Sequence, residues 1–160
     1  ENKFVLVDLP GYGFSKAGKK AHGLWSSLIE AYLLGSKNLK RVFVLVDIRH
    51  EPNELDKTMV EFLYYNQIPF TVVATKADKI SKSKQFSCVS LIAKTLKIAS
   101  GNVIVSSSEN KTGRDEILKI IEDYKNLINK NSVVSGSFDE DLQQEIKLLI
   151  FKVLSKNRKK

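Results

Sequence analysis

Phe4-Val5-Leu6-Val7-Asp8-Leu9-Pro10-Gly11 opens the chain with an apolar run that stops on an acid and a turn. The run has no polar alternation, which is the pattern of a strand covered on both faces in a parallel sheet. Val42 to Val46, Phe70 to Ala74 and Val103 to Val105 repeat it. Between these runs apolar residues return at helical spacing. Trp25, Leu28, Ile29 and Tyr32 form one stripe, and Leu55, Met59, Phe62 and Leu63 a second. Val89, Ile92, Ala93 and Leu96 form a third; Ile117, Ile120, Ile121, Tyr124 and Ile128 form a fourth, with Thr112 as its expected N-cap. Strand alternating with helix specifies an α/β fold with a doubly wound, mostly parallel sheet. The stripes are core, not cofactor boxes.

Composition agrees. The chain has 160 residues, 42% of them apolar and 28% charged, which suits one soluble domain with a small appended element. No apolar run approaches the roughly 20 residues of a membrane helix, and no basic-then-apolar leader opens the chain. We therefore expect no membrane partner and a cytoplasmic protein, with an organelle open if a leader precedes Glu1. A single cysteine, Cys88, excludes an internal disulfide and reads as a small apolar residue. The net charge of +8 favours a polyanion. Six lysines (Lys76, Lys79, Lys82, Lys84, Lys94, Lys97) face the lone acid Asp78 between residues 76 and 97. RNA contact and a merely solvated lysine surface both fit, and no aromatic residues are expected to interleave with these lysines as a stacking platform would require. DNA is not expected.

Asn129 to Ser137 is rich in Asn, Ser and Gly and reads as a linker. Ser137 with Glu140 is a capping box, after which Leu142, Ile146, Leu149 and Val153 carry an amphipathic helix to about Leu154. The expected organisation is a domain over 1–129, then a linker and a basic C-terminal helix over 130–160. That helix either packs back on the domain or docks on a partner.

The strand ends carry the chemistry, because open α/β sheets hold ligands beyond the carboxyl ends of their strands. Asp8 can hold a water of a phosphate-bound magnesium ion, and Gly11 lets a backbone N–H approach a terminal phosphate. Leu9 and Pro10 span the turn between them. At Thr75-Lys76-Ala77-Asp78, the Asp78 carboxylate can accept from the ring N–H and the exocyclic amine of guanine, a donor pair that adenine lacks. Two charge-assisted hydrogen bonds at roughly 1.5–3 kcal/mol each would give a preference of roughly a hundred-fold to ten-thousand-fold. Lys76 offers a long stem to lie along the base. Ser106, Ser107 and Ser108 can bring backbone N–H groups to the base carbonyl. Gly11-Tyr12-Gly13 fails as a dinucleotide fingerprint because Lys16 replaces the third glycine. Gly13 to Lys20 has phosphate-loop spacing, but Lys20 stands where a Ser or Thr is required.

Asp8-Leu9-Pro10-Gly11-Tyr12-Gly13, Asp47-Ile48-Arg49-His50, Ile68-Pro69, Thr75-Lys76-Ala77-Asp78 and Ser107-Ser108-Glu109 together resemble the EngB/YihA-type GTPases, a branch of the P-loop GTPases. The similarity covers roughly Phe4 to Ile128. It implies a three-layer P-loop GTPase fold that binds GTP and GDP with magnesium and hydrolyses GTP. It further implies a switch in large ribosomal subunit assembly, with precursor particles and rRNA as partners and an older link to the division septum. Carried over, Asp8 is the outer-shell magnesium residue, Gly11 the terminal-phosphate contact, Thr75, Lys76 and Asp78 the base-reading set, and Ser106 to Ser108 the carbonyl support. Arg49 and His50 match the pattern without an assignable role. No catalytic side chain is found, since Tyr12 stands where related enzymes orient water. The resemblance also implies a glycine-rich phosphate loop, its Ser/Thr ligand and a switch threonine ahead of Glu1, so this chain is expected to be the rear part of a longer one and inactive alone. The strand feeding that loop belongs between the Phe4 and Val42 strands, a slot expected to stand empty. The competing reading is a non-catalytic RNA-binding module indifferent to nucleotide.

Overall fold

The computed structural model describes residues 4–9, 19–134 and 146–152. In chain order the elements are β1 (Phe4–Leu9), α1 (Lys19–Gly35), β2 (Leu39–Asp47), α2 (Glu54–Tyr65), β3 (Phe70–Thr75), a 3-10 turn (Ala77–Lys79), α3 (Lys82–Thr95), β4 (Val103–Val105), α4 (Arg114–Val134) and β5 (Ile146–Lys152). The strands form a five-stranded sheet in the order β1-β5-β2-β3-β4. Every pairing is parallel.

Period two along the strands splits the core. Val42, Val44 and Val46 of β2 and Val72 and Ala74 of β3 face one side, where they meet Ile29 and Leu33 of α1, Met59, Val60 and Leu63 of α2, and Ile92 and Ala93 of α3 with Leu96 just past its end. Phe43 and Val73 face the other side and pack on Ile121, with Leu45, Ile117 and Ile120 around them. Helices on both faces explain why these strands read as continuous apolar runs. Arg41 ties the far end of the sheet together. It donates to the Phe70 carbonyl at 2.9 Å, to Thr71 Oγ1 at 2.7 Å and to the Tyr124 hydroxyl at 2.9 Å.

Several expectations are corrected. Leu28 is 70% exposed; the buried stripe of α1 runs through Ile29 and Leu33 instead. Leu55 is 41% exposed, because α2 turns Met59, Val60 and Leu63 inward. The N-cap position of α4 belongs to Gly113, not Thr112, whose hydroxyl donates to Asn110 Oδ1. The linker expected from Asn129 is helical up to Val134. Most consequentially, Ile146–Lys152 is not part of an amphipathic helix but a strand lying in the slot expected to be empty. Phe4 to Leu9 pair in register with Ile146 to Phe151, and Val42 to Leu45 with Leu149 to Lys152. The physical reason is backbone satisfaction. A helix there would leave the inner ladder groups of β1 and β2 without partners, whereas a strand satisfies both rows. Pro10, Gly11 and the stretch from Gly13 to Gly18 lie outside the described residues, as does the capping box Ser137/Glu140. No helix among the described residues is long and apolar enough to cross a membrane.

The start of α2 holds a carboxyl under tension with its surroundings. Asn53 Oδ1 accepts from the N–H groups of Leu55 and Asp56 at 2.8 and 3.2 Å, while Asp56 Oδ2 accepts from Asn53 N–H at 2.8 Å, closing a capping box. Asp56 is 4% exposed, and its Oδ1 has no partner among the described residues. Burial raises its pKa from 3.8 to about 6.

Two outcomes follow for the fold. Ending the chain after Val134 should abolish the cooperative thermal melt, because β1 and the inner edge of β2 lose their ladder; an unchanged melting temperature would mean that Ile146–Lys152 is a dispensable tail. For Asp56 the folded-state pKa exceeds the unfolded one. Its protonated form therefore favours the native state below about pH 4, and that contribution fades as pH rises through about 6. Asp56→Asn keeps the acceptor for Asn53 without the charge. It should stabilise the protein by about 1–3 kcal/mol near pH 8 and by little near pH 4, measured by denaturant unfolding at both pH values.

Candidate functional site

Parallel strands bring their carboxyl ends to one edge, so Asp8, Asp47, Thr75 and the loop after Val105 end on the same side of the sheet. Asp8 stands exposed near the end of β1, paired in register with Ile150. Next in the sheet, β5 ends at Lys152 opposite Leu45. Asp47 ends β2 beside Thr75 at the end of β3.

After β3 the chain turns sharply. Lys76 takes a left-handed conformation, φ 63°, which is uncommon for a residue with a side chain. The turn lets the Ala77 N–H reach the Ser106 carbonyl at 3.0 Å, while the Ser106 N–H donates to the Ala74 carbonyl at 2.8 Å. Ala77 is buried beneath this crossing. The β3 and β4 loops are thus laced together by backbone alone. Thr75 Oγ1 donates to the Val46 carbonyl at 3.0 Å, so its hydroxyl braces β3 against β2.

Asp78 is brought against the serine loop. Ser107 Oγ donates to its Oδ1 at 2.5 Å, and Lys79 Nζ lies 2.9 Å from Oδ2. These hydrogen bonds, Ser107's first and Lys79's second, hold the Asp78 carboxyl below the usual carboxylate range. It is an acceptor at neutral pH. A carboxylate has about four lone-pair sites, so one on each oxygen remains for a pair of outside donors.

The serine loop is narrower in its offering than its composition suggests. The Ser107 N–H donates to the Thr112 carbonyl at 3.1 Å, and the Glu109 N–H to Ser107 Oγ at 3.2 Å. With Ser106 spent on Ala74, Ser108 carries the N–H of this loop that has no protein acceptor among the described residues. The loop is closed from behind by Gly113, φ +74°. A Cβ there would sit 2.1 Å from the Val105 carbonyl oxygen, so only glycine fits. That requirement was not read from the sequence, although a lone glycine just before a helical stripe was the available signal.

Asp47, which the sequence places only within the family pattern, is held by donors on both of its oxygens. Its carboxylate is 5% exposed. Oδ1 accepts from Arg49 N–H at 3.1 Å and Arg49 Nε at 2.9 Å; Oδ2 accepts from Arg49 Nη2 at 2.7 Å and Lys76 Nζ at 2.9 Å. Burial pushes its pKa up, but these donors more than offset that and hold it well below the usual carboxylate range. The signal existed: Asp47 ends an apolar run just as Asp8 does. His50 is exposed. Among the described residues no group of three or more His, Cys, Asp or Glu is placed to hold a metal directly. Asp8, single and exposed, fits contact with an ion through water.

No protein-family model matches the chain. Among curated proteins it is 46% identical over 120 residues to the "Probable GTP-binding protein EngB" of Caldanaerobacter subterraneus subsp. tengcongensis, covering 75% of this chain and 62% of that protein. To the protein of the same name from Clostridium kluyveri it is 45% identical over 122 residues, covering 76% and 62%. To that of Lactococcus lactis subsp. lactis it is 45% identical over 125 residues, covering 78% and 64%. The chain therefore spans a little under two thirds of the length of these relatives. A solved structure titled as a probable GTP-binding protein engB matches with a TM-score of 0.61 at 20% identity, over 72% of this chain and 74% of that one. That likeness carries the fold.

One stability outcome tests the loop. Gly113→Ala should cost about 2–4 kcal/mol, since it adds a clash with the Val105 carbonyl to a strained φ, and should speed amide exchange at Ser107. Urea unfolding with exchange mass spectrometry reads both; a change under about 0.5 kcal/mol would contradict the packing.

Proposed function

We propose, from the premise that this chain belongs to the EngB-type GTPases, that its carboxyl edge holds the base of a guanine nucleotide. The observation that carries the reading is Asp78: an ionised carboxylate steadied by Ser107 and Lys79, with lone pairs left for two donors. In this reading guanine's ring N–H and exocyclic amine fill those lone pairs, and the Ser108 N–H meets the base carbonyl. Lys76 lays its stem along the base. Thr75 and Ala77 act through the backbone lacing and the hydroxyl brace rather than by touching the base.

The phosphates then lie toward β1. Asp8 would hold magnesium there through a water, and the ion would neutralise charge on the phosphates. By the resemblance, Leu9, Pro10 and Gly11 would contact the terminal phosphate, Gly11 through its backbone N–H. The protein binds GTP, hydrolyses it to GDP and uses the difference as a switch during large ribosomal subunit assembly. With Tyr12 standing where related enzymes orient water, a partner is expected to complete fast hydrolysis.

A nucleotide-independent RNA contact has one specific observation behind it. Helix α3 carries no acid and exposes Lys82 and Lys84; Phe86, 81% exposed one turn after Lys82, is the interleaved aromatic residue that the sequence reading did not expect. A flat ring beside cations suits an unpaired base and its phosphates. Asp78→Asn separates the readings in the intact protein. An amide presents a donor where the carboxylate only accepts, so GTP affinity should fall by about a hundred-fold or more while xanthosine triphosphate affinity rises. Titration with fluorescent analogues of both nucleotides reads the outcome. Unchanged GTP affinity would sink the guanine assignment.

A further inference from the structure

The Asp47-Arg49 pair was left without a role by the sequence pattern, and the guanine reading does not use it. Resting on that reading, we propose that Asp47 is a positioning residue of the base site: its buried carboxylate holds the Lys76 ammonium and, through it, fixes the turn that delivers Asp78.

Geometry carries the argument. Asp47 and Thr75 are register partners at the ends of β2 and β3. The residue after Thr75 is Lys76, whose left-handed backbone lacks the glycine that would make it easy. A strained conformation of this kind persists only when its surroundings over-determine it. Three restraints surround it. Thr75 Oγ1 fixes the approach through the Val46 carbonyl, Ala77 N–H fixes the exit through the Ser106 carbonyl, and Asp47 Oδ2 fixes the side chain at 2.9 Å.

The Asp47 carboxylate is also fully spoken for. Four donors meet its two oxygens, three of them from Arg49. Arg49 therefore acts as a fork that sets the rotamer of the carboxylate, leaving one lone-pair direction for Lys76. With every site filled and the group nearly excluded from water, Asp47 has no capacity to act as a base or bind a ligand itself. What remains to it is holding. Lys76, by contrast, is half exposed, so its stem presents a face outward even while its head is tethered. A tethered lysine loses its rotamer freedom before ligand arrives, which lowers the ordering cost at binding.

The test uses the intact protein and a fluorescent GDP analogue. Asp47→Asn should weaken GDP binding about tenfold, the scale of one lost charge-assisted hydrogen bond. If Asp47 acts through Lys76, the double variant Asp47→Asn/Lys76→Ala should bind within about twofold of Lys76→Ala alone. Fully additive losses would overturn the positioning role in favour of general support, and so would an Asp47→Asn protein that binds GDP within about twofold of the parent. Asp78→Asn run alongside keeps the two ideas apart. If it fails to shift preference toward xanthosine nucleotides, the guanine reading falls. If it shifts while Asp47→Asn has no effect, the clamp alone falls. Should Asp47→Asn not fold, lysine acylation of the unaltered protein decides. Lys76 should react several-fold more slowly than Lys82 and Lys84, and equal rates would overturn the tether.

Discussion

A buried strand must find hydrogen-bond partners along both of its edges, and this constraint organises the molecule. β1 is joined to the rest of the sheet only through β5, because its single pairing among the described strands is with that element. β2 in turn meets β5 on one edge and β3 on the other. Remove the seven-residue strand, Ile146–Lys152, and Asp8 no longer has a fixed relation to Asp47. The site is therefore a property of the ladder before it is a property of any side chain. Each strand contributes its carboxyl end, and parallel register decides that those ends coincide.

That constraint also explains where sequence reading succeeds and fails. β2 and β3 were legible because they are apolar on both faces, and the structure covers them with helices on both sides. β5 was not. Leu142, Ile146, Leu149 and Val153 fall at helical spacing, and Lys147 and Lys152 break the apolar run. Local pattern favoured a helix; the need to pair two open strand edges outweighed it, and that need depends on residues more than a hundred positions away. Leu28 failed for a smaller reason. At the boundary of an apolar stripe, rotation of the helix by part of a turn exchanges one leucine for another, and here Leu33 took the buried place.

The candidate site divides the same way. Asp78 and Ser107 were legible because an acid and a small hydroxyl residue each follow a strand, and the structure joins them at 2.5 Å. Their joining rests on backbone bonds between the loops after β3 and β4, which no residue type announces. Ser106 to Ser108 looked interchangeable in sequence, yet their N–H groups have different fates, and the Ser108 N–H is the one without a protein acceptor among the described residues. Gly113 is the clearest omission. Its need for a positive φ comes from the Val105 carbonyl behind it, a contact that exists only once the loop has closed.

Three aspartates show how donors, rather than burial, decide what a carboxyl does here. Asp47 and Asp56 are both nearly excluded from water, at 8% and 4% exposure. Asp47 gathers four donors and is held well below the usual range; Asp56 gathers the Asn53 N–H, leaves Oδ1 bare, and rises to about 6. Asp78, nearer the surface, is lowered by Ser107 and Lys79. The signs then oppose one another. The lowered pair stabilise the fold above the unfolded carboxylate range and lose that contribution as acid is added, while Asp56 favours the fold below about pH 4 and ceases to as pH rises through about 6. The candidate site is built from the pair that stays ionised at neutral pH. The Asp78 acceptor is thus kept charged at a pH where the fold's own helix cap is least comfortable. The cap bears that strain because it lies at the start of α2, where a reciprocal hydrogen bond to Asn53 still fixes the helix whether or not Asp56 carries its proton.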